Sequence, residues 1–100
     1  MNKIKNSIET QSFESVWDAL SDTPAEAENM KLRSTLMLQI VECLKNKNLN
    51  QTEAAAVCQL TRPRMNDLFS GKMSKFSLDA LINIAASAGL RINIEIQEFA

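Results

Sequence analysis

The feature that most constrains this chain is a pair of short helix-forming stretches with only Gln59-Leu60-Thr61 between them. Asn50 is a favourable N-cap, and Glu53 three residues on gives a box-like start to a helix over Gln51–Cys58. Thr61 is the next N-cap, and Pro63 sits in the first turn, where a missing N–H costs nothing. That second helix is expected to end near Ser70, with Gly71 at the C′ position. Packing two helices across so short a break makes specific demands. Small residues must lie where the helices touch, and Ala54 and Ala55 supply them. An apolar residue must plug the turn, which suits Leu60. The second helix must bury residues three apart, as Met65 and Leu68 are.

Two short helices joined by a three-residue turn make a helix-turn-helix, here covering roughly residues 51–70. One hundred residues, 45% of them apolar, allow one domain with one modest core. Gly and Pro occur only twice each, so the rest of the chain reads as mostly helical. Residues 1–12 are polar and patternless. Phe13, Val16, Trp17 and Leu20 then repeat at i, i+3, i+4, i+7 and predict a short amphipathic helix. Thr23-Pro24 opens a long helix to about Lys47, with Leu32, Leu36, Met37, Ile40, Cys43 and Leu44 on its apolar side and Leu38 outside that stripe. Ser77 caps a helix in which Leu78, Leu81, Ile82 and Ala85 form the apolar stripe, and Gly89 ends it. In RINIEIQ, Ile92, Ile94 and Ile96 alternate with polar residues as in a half-buried strand. A lone strand needs a second edge, from another copy or from a different protein. The expected organisation is a flexible N-terminal segment with a short helix over 1–23, a helix-turn-helix DNA-binding domain over 24–90, and a C-terminal strand and tail over 91–100.

The same composition excludes several function classes. There is no His and no Tyr, which removes the commonest general base and a common acid, and no nucleophile stands at a credible spacing from a base. An enzyme is not expected and no catalytic residue is assigned. Cys43 and Cys58, fifteen positions apart with no CxxC pair, do not make a metal site; each reads as a small buried hydrophobe in a reducing cytoplasm. No cofactor, secretory leader or membrane span is expected. The net charge of −1 is unevenly spread. Residues 1–30 carry Lys3 and Lys5 against Glu9, Glu14, Asp18, Asp22, Glu26 and Glu28, a net −4. Residues 31–75 carry eight basic side chains against Glu42, Glu53 and Asp67, a net +5. A basic middle between acidic ends suits a polyanion on one face.

The stretch NQTEAAAVCQLTRPRMNDLFSGKMSKFSLDALINIA resembles the Cro/repressor-type (XRE) helix-turn-helix family. Together with FESVWDALSDTPAEAENMKLRSTLM upstream, it resembles more narrowly the HigA-like antitoxins of toxin–antitoxin modules. SVWDAL, KLRS, QTEAA, TRPRMNDL, GK and FSLDAL carry the likeness, which covers about residues 13–90. One position departs from the family pattern: Gln59 stands where the turn usually has Gly. The residue reading and the resemblance together give the expected fold: an all-α, five-helix lambda-repressor-like domain with one C-terminal β-strand used for dimerisation through Ile92, Ile94 and Ile96. The resemblance implies a repressor of its own operon that binds a palindromic double-stranded operator as a homodimer. Its partner would be a RelE-like mRNA endonuclease toxin, neutralised by direct binding.

In such motifs the recognition helix enters the major groove N-terminus first. Thr61, Arg62, Arg64 and Asn66 then face base edges or phosphates. Arg62 suits bidentate contact with guanine, Asn66 suits adenine, and Arg64 suits the backbone. Gln51 at the start of the first helix is expected to hold a phosphate, and Lys72 and Lys75 to clamp the backbone. Asp67 would repel phosphate and is expected to pair with Arg64 at i−3 or to cap a neighbour. For the toxin, the acidic N-terminal region with Phe13 and Trp17, extended by Leu38, is the candidate surface; packing of Trp17 onto the long helix is the other role open to it. Two other functions fit the same residues: a stand-alone phage or operon repressor without a toxin, and a protein-interaction module that keeps the fold without binding DNA.

Overall fold

Capping residues set the helix boundaries in the computed structural model, which describes residues 23–98. Thr23 accepts the Glu26 N–H at 3.0 Å and Pro24 follows it, so α1 spans Pro24–Asn46. Three shorter helices follow: α2 over Gln51–Cys58, α3 over Arg62–Phe69, and α4 over Leu78–Ser87, with a 3-10 turn at Met73–Lys75 before the last. All four α-helices close in the same way. A residue turns left-handed after each end, at Asn48, Gln59, Gly71 and Gly89, with φ of 58°, 57°, 73° and 97°. The next N–H then reaches back five residues, from Leu49 to the Leu44 carbonyl, Leu60 to Ala55, Lys72 to Asp67 and Leu90 to Ala85, at 2.9–3.3 Å. This satisfies helix-end carbonyls that would otherwise be orphaned.

The core forms where α1 crosses α4 and where α2 packs on α3. Ile40, Leu44, Met65, Leu68, Phe76 and Leu81 are its large fully buried side chains. Among the described residues no polar or charged side chain is fully buried. None of the helices there is long and apolar enough to cross a membrane.

Several expectations need correction. The described residues hold four α-helices, not five; the helix read from Phe13, Val16, Trp17 and Leu20 lies outside them. Residues 91–98 form no strand. A strand is defined by the N–H and C=O groups of a neighbour, and this segment has no pairing edge beside it in the chain; alternating isoleucines alone cannot supply one. Ile92 is half-buried on the core, whereas Ile94 and Ile96 are 69% and 89% exposed. On α1 the buried side is Ala27, Leu36, Met37, Ile40 and Leu44, while Leu32 is 43% exposed and Cys43 only half-buried. On α4 the buried stripe is Leu81, Ile84, Ala85 and Ala88, one turn further on than expected, with Leu78 and Ile82 at its margin. Most of the residues at these margins border one feature. Leu32, Leu36, Leu78, Ile82, Ile92 and Ile94 line an open groove of about 630 Å³ between α1, α4 and the C-terminal segment.

Candidate nucleic-acid interface

The α2–α3 pair is shaped by its smallest residues. Ala54, Ala55 and Cys58 are buried on α2, and Met65 and Leu68 on α3, with Leu60 half-buried in the turn between them. Burial pushes the Cys58 thiol above its ordinary value; nearby Cys43 adds to this and Lys47 opposes it. The thiol therefore stays neutral and serves as packing. Asn50 and Glu53 form a reciprocal capping box: the Glu53 N–H donates to Asn50 Oδ1 at 2.8 Å, and the Asn50 N–H donates to Glu53 Oε1 at 3.0 Å. Gln59 adopts φ 57° and ψ 41° with a side chain other than Gly, a conformation that costs on the order of 1 kcal/mol.

Burying Met65 and Leu68 turns the opposite side of α3 to solvent. Arg62 and Asn66, one helical turn apart, are both exposed there, with Thr61 and Pro63 at the leading end. Thr61 Oγ1 accepts the Arg64 N–H at 3.3 Å and so caps the helix. Lys72 and Lys75 follow α3, with side chains 51% and 55% exposed. Gln51 is half-buried at the first position of α2, beside the Glu53 carboxylate of the capping box, whose charge opposes a phosphate at that helix end.

Two side chains are placed differently from the sequence expectation. Arg64 turns back along the surface: its Nη1 donates to the Lys75 carbonyl at 2.7 Å, and its guanidinium stands 4.0 Å from the centroid of the Phe76 ring. Asp67 pairs with Lys72 at 3.4 Å and Lys75 at 3.8 Å rather than with Arg64. With Arg64 committed to Lys75 and Phe76, the two ammonium groups beyond the helix end are what the Asp67 carboxylate meets.

Sequence reasoning missed two contributors. Phe76, 1% exposed, anchors the segment after α3 in the core. A signal for it existed: Phe76 precedes the Ser77 cap and Leu81 stands at the fourth helical position, the two sites of a hydrophobic staple. Arg33 reaches across from α1, its Nη1 donating to the carbonyls of Met73 and Phe76 at 3.3 Å each while its Nε is held by Asn29 Oδ1 at 2.6 Å. No local signal announces a contact between positions forty residues apart. The segment after α3 is thus gripped by arginines from both sides.

Other candidate residues lie away from this face. Ile92, Ile94 and Ile96 belong to the C-terminal segment by the groove, and Leu38 is 47% exposed on α1, outside the buried stripe as expected. Phe13 and Trp17 lie outside the described residues.

A helix-turn-helix domain family matches residues 19–97, most of the chain. Among curated proteins no significant match is found. The chain belongs to this helix-turn-helix family, whose fold is that of DNA-binding transcriptional regulators.

Proposed function

We propose that the chain is a sequence-specific transcriptional repressor that binds a palindromic operator as a homodimer. We propose further that it is the antitoxin of a type II toxin–antitoxin module, repressing its own operon and neutralising a RelE-like toxin in the cytoplasm. The observation that carries the DNA-binding function is the exposed face of α3. Arg62 and Asn66, the side chains suited to guanine and adenine edges, stand one turn apart on it, with Thr61 ahead and Lys72 and Lys75 behind. Base edges are read by the first two and phosphates held by the last two. Arg64, engaged with Lys75 and Phe76, supports that face from the side.

Dimerisation is supported by the groove and by Ile94 and Ile96, apolar surface that one chain leaves in water. A second copy fits it best. A two-fold related copy presents the same groove and the same exposed Ile94 and Ile96, so each apolar surface can cover the other, as an isologous interface requires. The antitoxin role is supported by the likeness of SVWDAL, KLRS and the helix-turn-helix stretch to HigA-like proteins. Phe13 and Trp17, on the acidic N-terminal part of the chain that suits a basic RNA-cleaving partner, are the proposed toxin contacts, with the exposed Leu38 of α1 extending them.

Co-expression with the product of the neighbouring reading frame tests the antitoxin role. A complex that survives purification, together with relief of growth arrest, is the expected result. Growth arrest that persists despite full expression of this chain contradicts it, and leaves the repressor function to be judged by DNA binding alone.

A further inference from the structure

Asp67 is out of place on a face built to meet a polyanion. It stands on α3, the helix that carries Arg62 and Asn66, with its side chain only 16% exposed. Its carboxylate lies 3.4 Å from the Lys72 ammonium and 3.8 Å from that of Lys75. The backbone bearing those lysines is fixed without it. The Lys72 N–H donates to the Asp67 main-chain carbonyl at 3.0 Å, the Lys75 carbonyl accepts from Arg64, and the Met73 and Phe76 carbonyls accept from Arg33. What the carboxylate itself holds is the two ammonium groups.

We propose that Asp67 sets the DNA selectivity of the chain, as a positioning residue acting through Lys72 and Lys75. This role rests on the DNA-binding function proposed above. A free surface lysine attracts any phosphate, and that attraction is the sequence-independent part of affinity. Asp67 offsets one of the two charges before DNA arrives, so stray duplex is drawn less strongly. It also restricts where the ammonium groups stand. Each carries three N–H donors, so both lysines can keep Asp67 and still donate to a phosphate oxygen that approaches from the outer side. A DNA backbone in the register that Arg62 and Asn66 require meets that condition. A misplaced one brings phosphate against the carboxylate and is repelled, which is discrimination by an unfavourable contact with the wrong partner.

The test titrates full-length protein, over a range of salt, with two duplexes of about 30 base pairs, long enough for two half-sites. One is selected by the wild-type protein from a randomised library, and the other is a scramble of it. Asp67→Asn keeps the shape and removes the charge. It is expected to raise affinity for the scramble about five-fold, to change affinity for the selected duplex less than about two-fold, and to steepen the salt slope on the scramble by about one ion. With both lysines replaced by Gln, Asp67→Asn is expected to change neither affinity. Asp67→Glu, which keeps the charge, is expected to keep most of the selectivity. An Asp67→Asn protein with unchanged or higher selectivity overturns the proposal. So does an effect of equal size without the lysines, or an Asp67→Glu protein that loses as much as Asp67→Asn, since either assigns the effect to packing. Wild-type protein that binds neither duplex overturns the DNA-binding function and this role with it; a selective wild type whose selectivity Asp67→Asn keeps overturns the role of Asp67 alone.

Discussion

Around α2 and α3, both helix starts are capped by a side chain, both ends close on a left-handed residue, and the segment that follows is tied down by Arg33 and Arg64. Around the groove between α1 and α4 the same chain leaves Leu32, Ile94 and Ile96 in water, and its C-terminal segment has no regular structure. The first region is complete within one copy. The second has apolar surface and unpaired backbone that another molecule can cover. On the function proposed above, the first must hold its side chains in register before DNA arrives, whereas the second gains its order when a partner does.

Phe76→Ala empties the anchor of the completed region and is expected to cost about 3–5 kcal/mol of stability by urea denaturation. A loss near 1 kcal/mol would mean that the arginines alone hold the segment after α3. On the other side, Ile94→Asp places a charge on the exposed apolar edge, and in a two-fold interface it does so twice. It is expected to raise the dimer dissociation constant about 100-fold in sedimentation while leaving the helix content of the folded chain unchanged by circular dichroism. An unaltered dimer would locate assembly elsewhere.

Arg62→Ala is expected to cost about 1–3 kcal/mol of affinity for a selected duplex and to relax preference at one base position. Arg64→Met is expected to leave that preference in place, to leave the salt slope unchanged, and to lower stability by about 1–2 kcal/mol through its lost hydrogen bond and ring contact. A salt slope reduced by about one ion would instead make Arg64 a phosphate contact. The smallest change is Gln59→Gly. Relief of the left-handed residue, partly offset by glycine's greater freedom when unfolded, is expected to raise stability by about 0.5–1 kcal/mol in the same denaturation assay.

The completed region was also the more legible one. Asn50 with Glu53, Thr61 with Pro63, and Ser77 each mark a helix start within four residues of sequence, and the structure makes those caps. Gln59 at a glycine position was equally readable, because left-handed backbone is a local property. Charge pairing was less so: Asp67 has a basic residue three positions before it and others five and eight after, and only the course of the chain beyond α3 decides among them. Arg33 left no trace, since its partners are main-chain carbonyls of no particular residue type. The C-terminal segment misled for the opposite reason. Its alternation describes two faces, but a strand also needs a neighbour, and no pattern within Arg91–Gln97 provides one.

In the proposed function the exposed face of α3 reads base sequence. Selection of duplexes from a randomised library by the full-length protein tests it most directly. The expected result is an enriched inverted repeat whose half-site centres lie roughly 34–36 Å apart, one turn of DNA, with at least one base preference per half-site that Arg62→Ala erases. Recovery of DNA with no enriched sequence, or enrichment that Arg62→Ala leaves untouched, would contradict it.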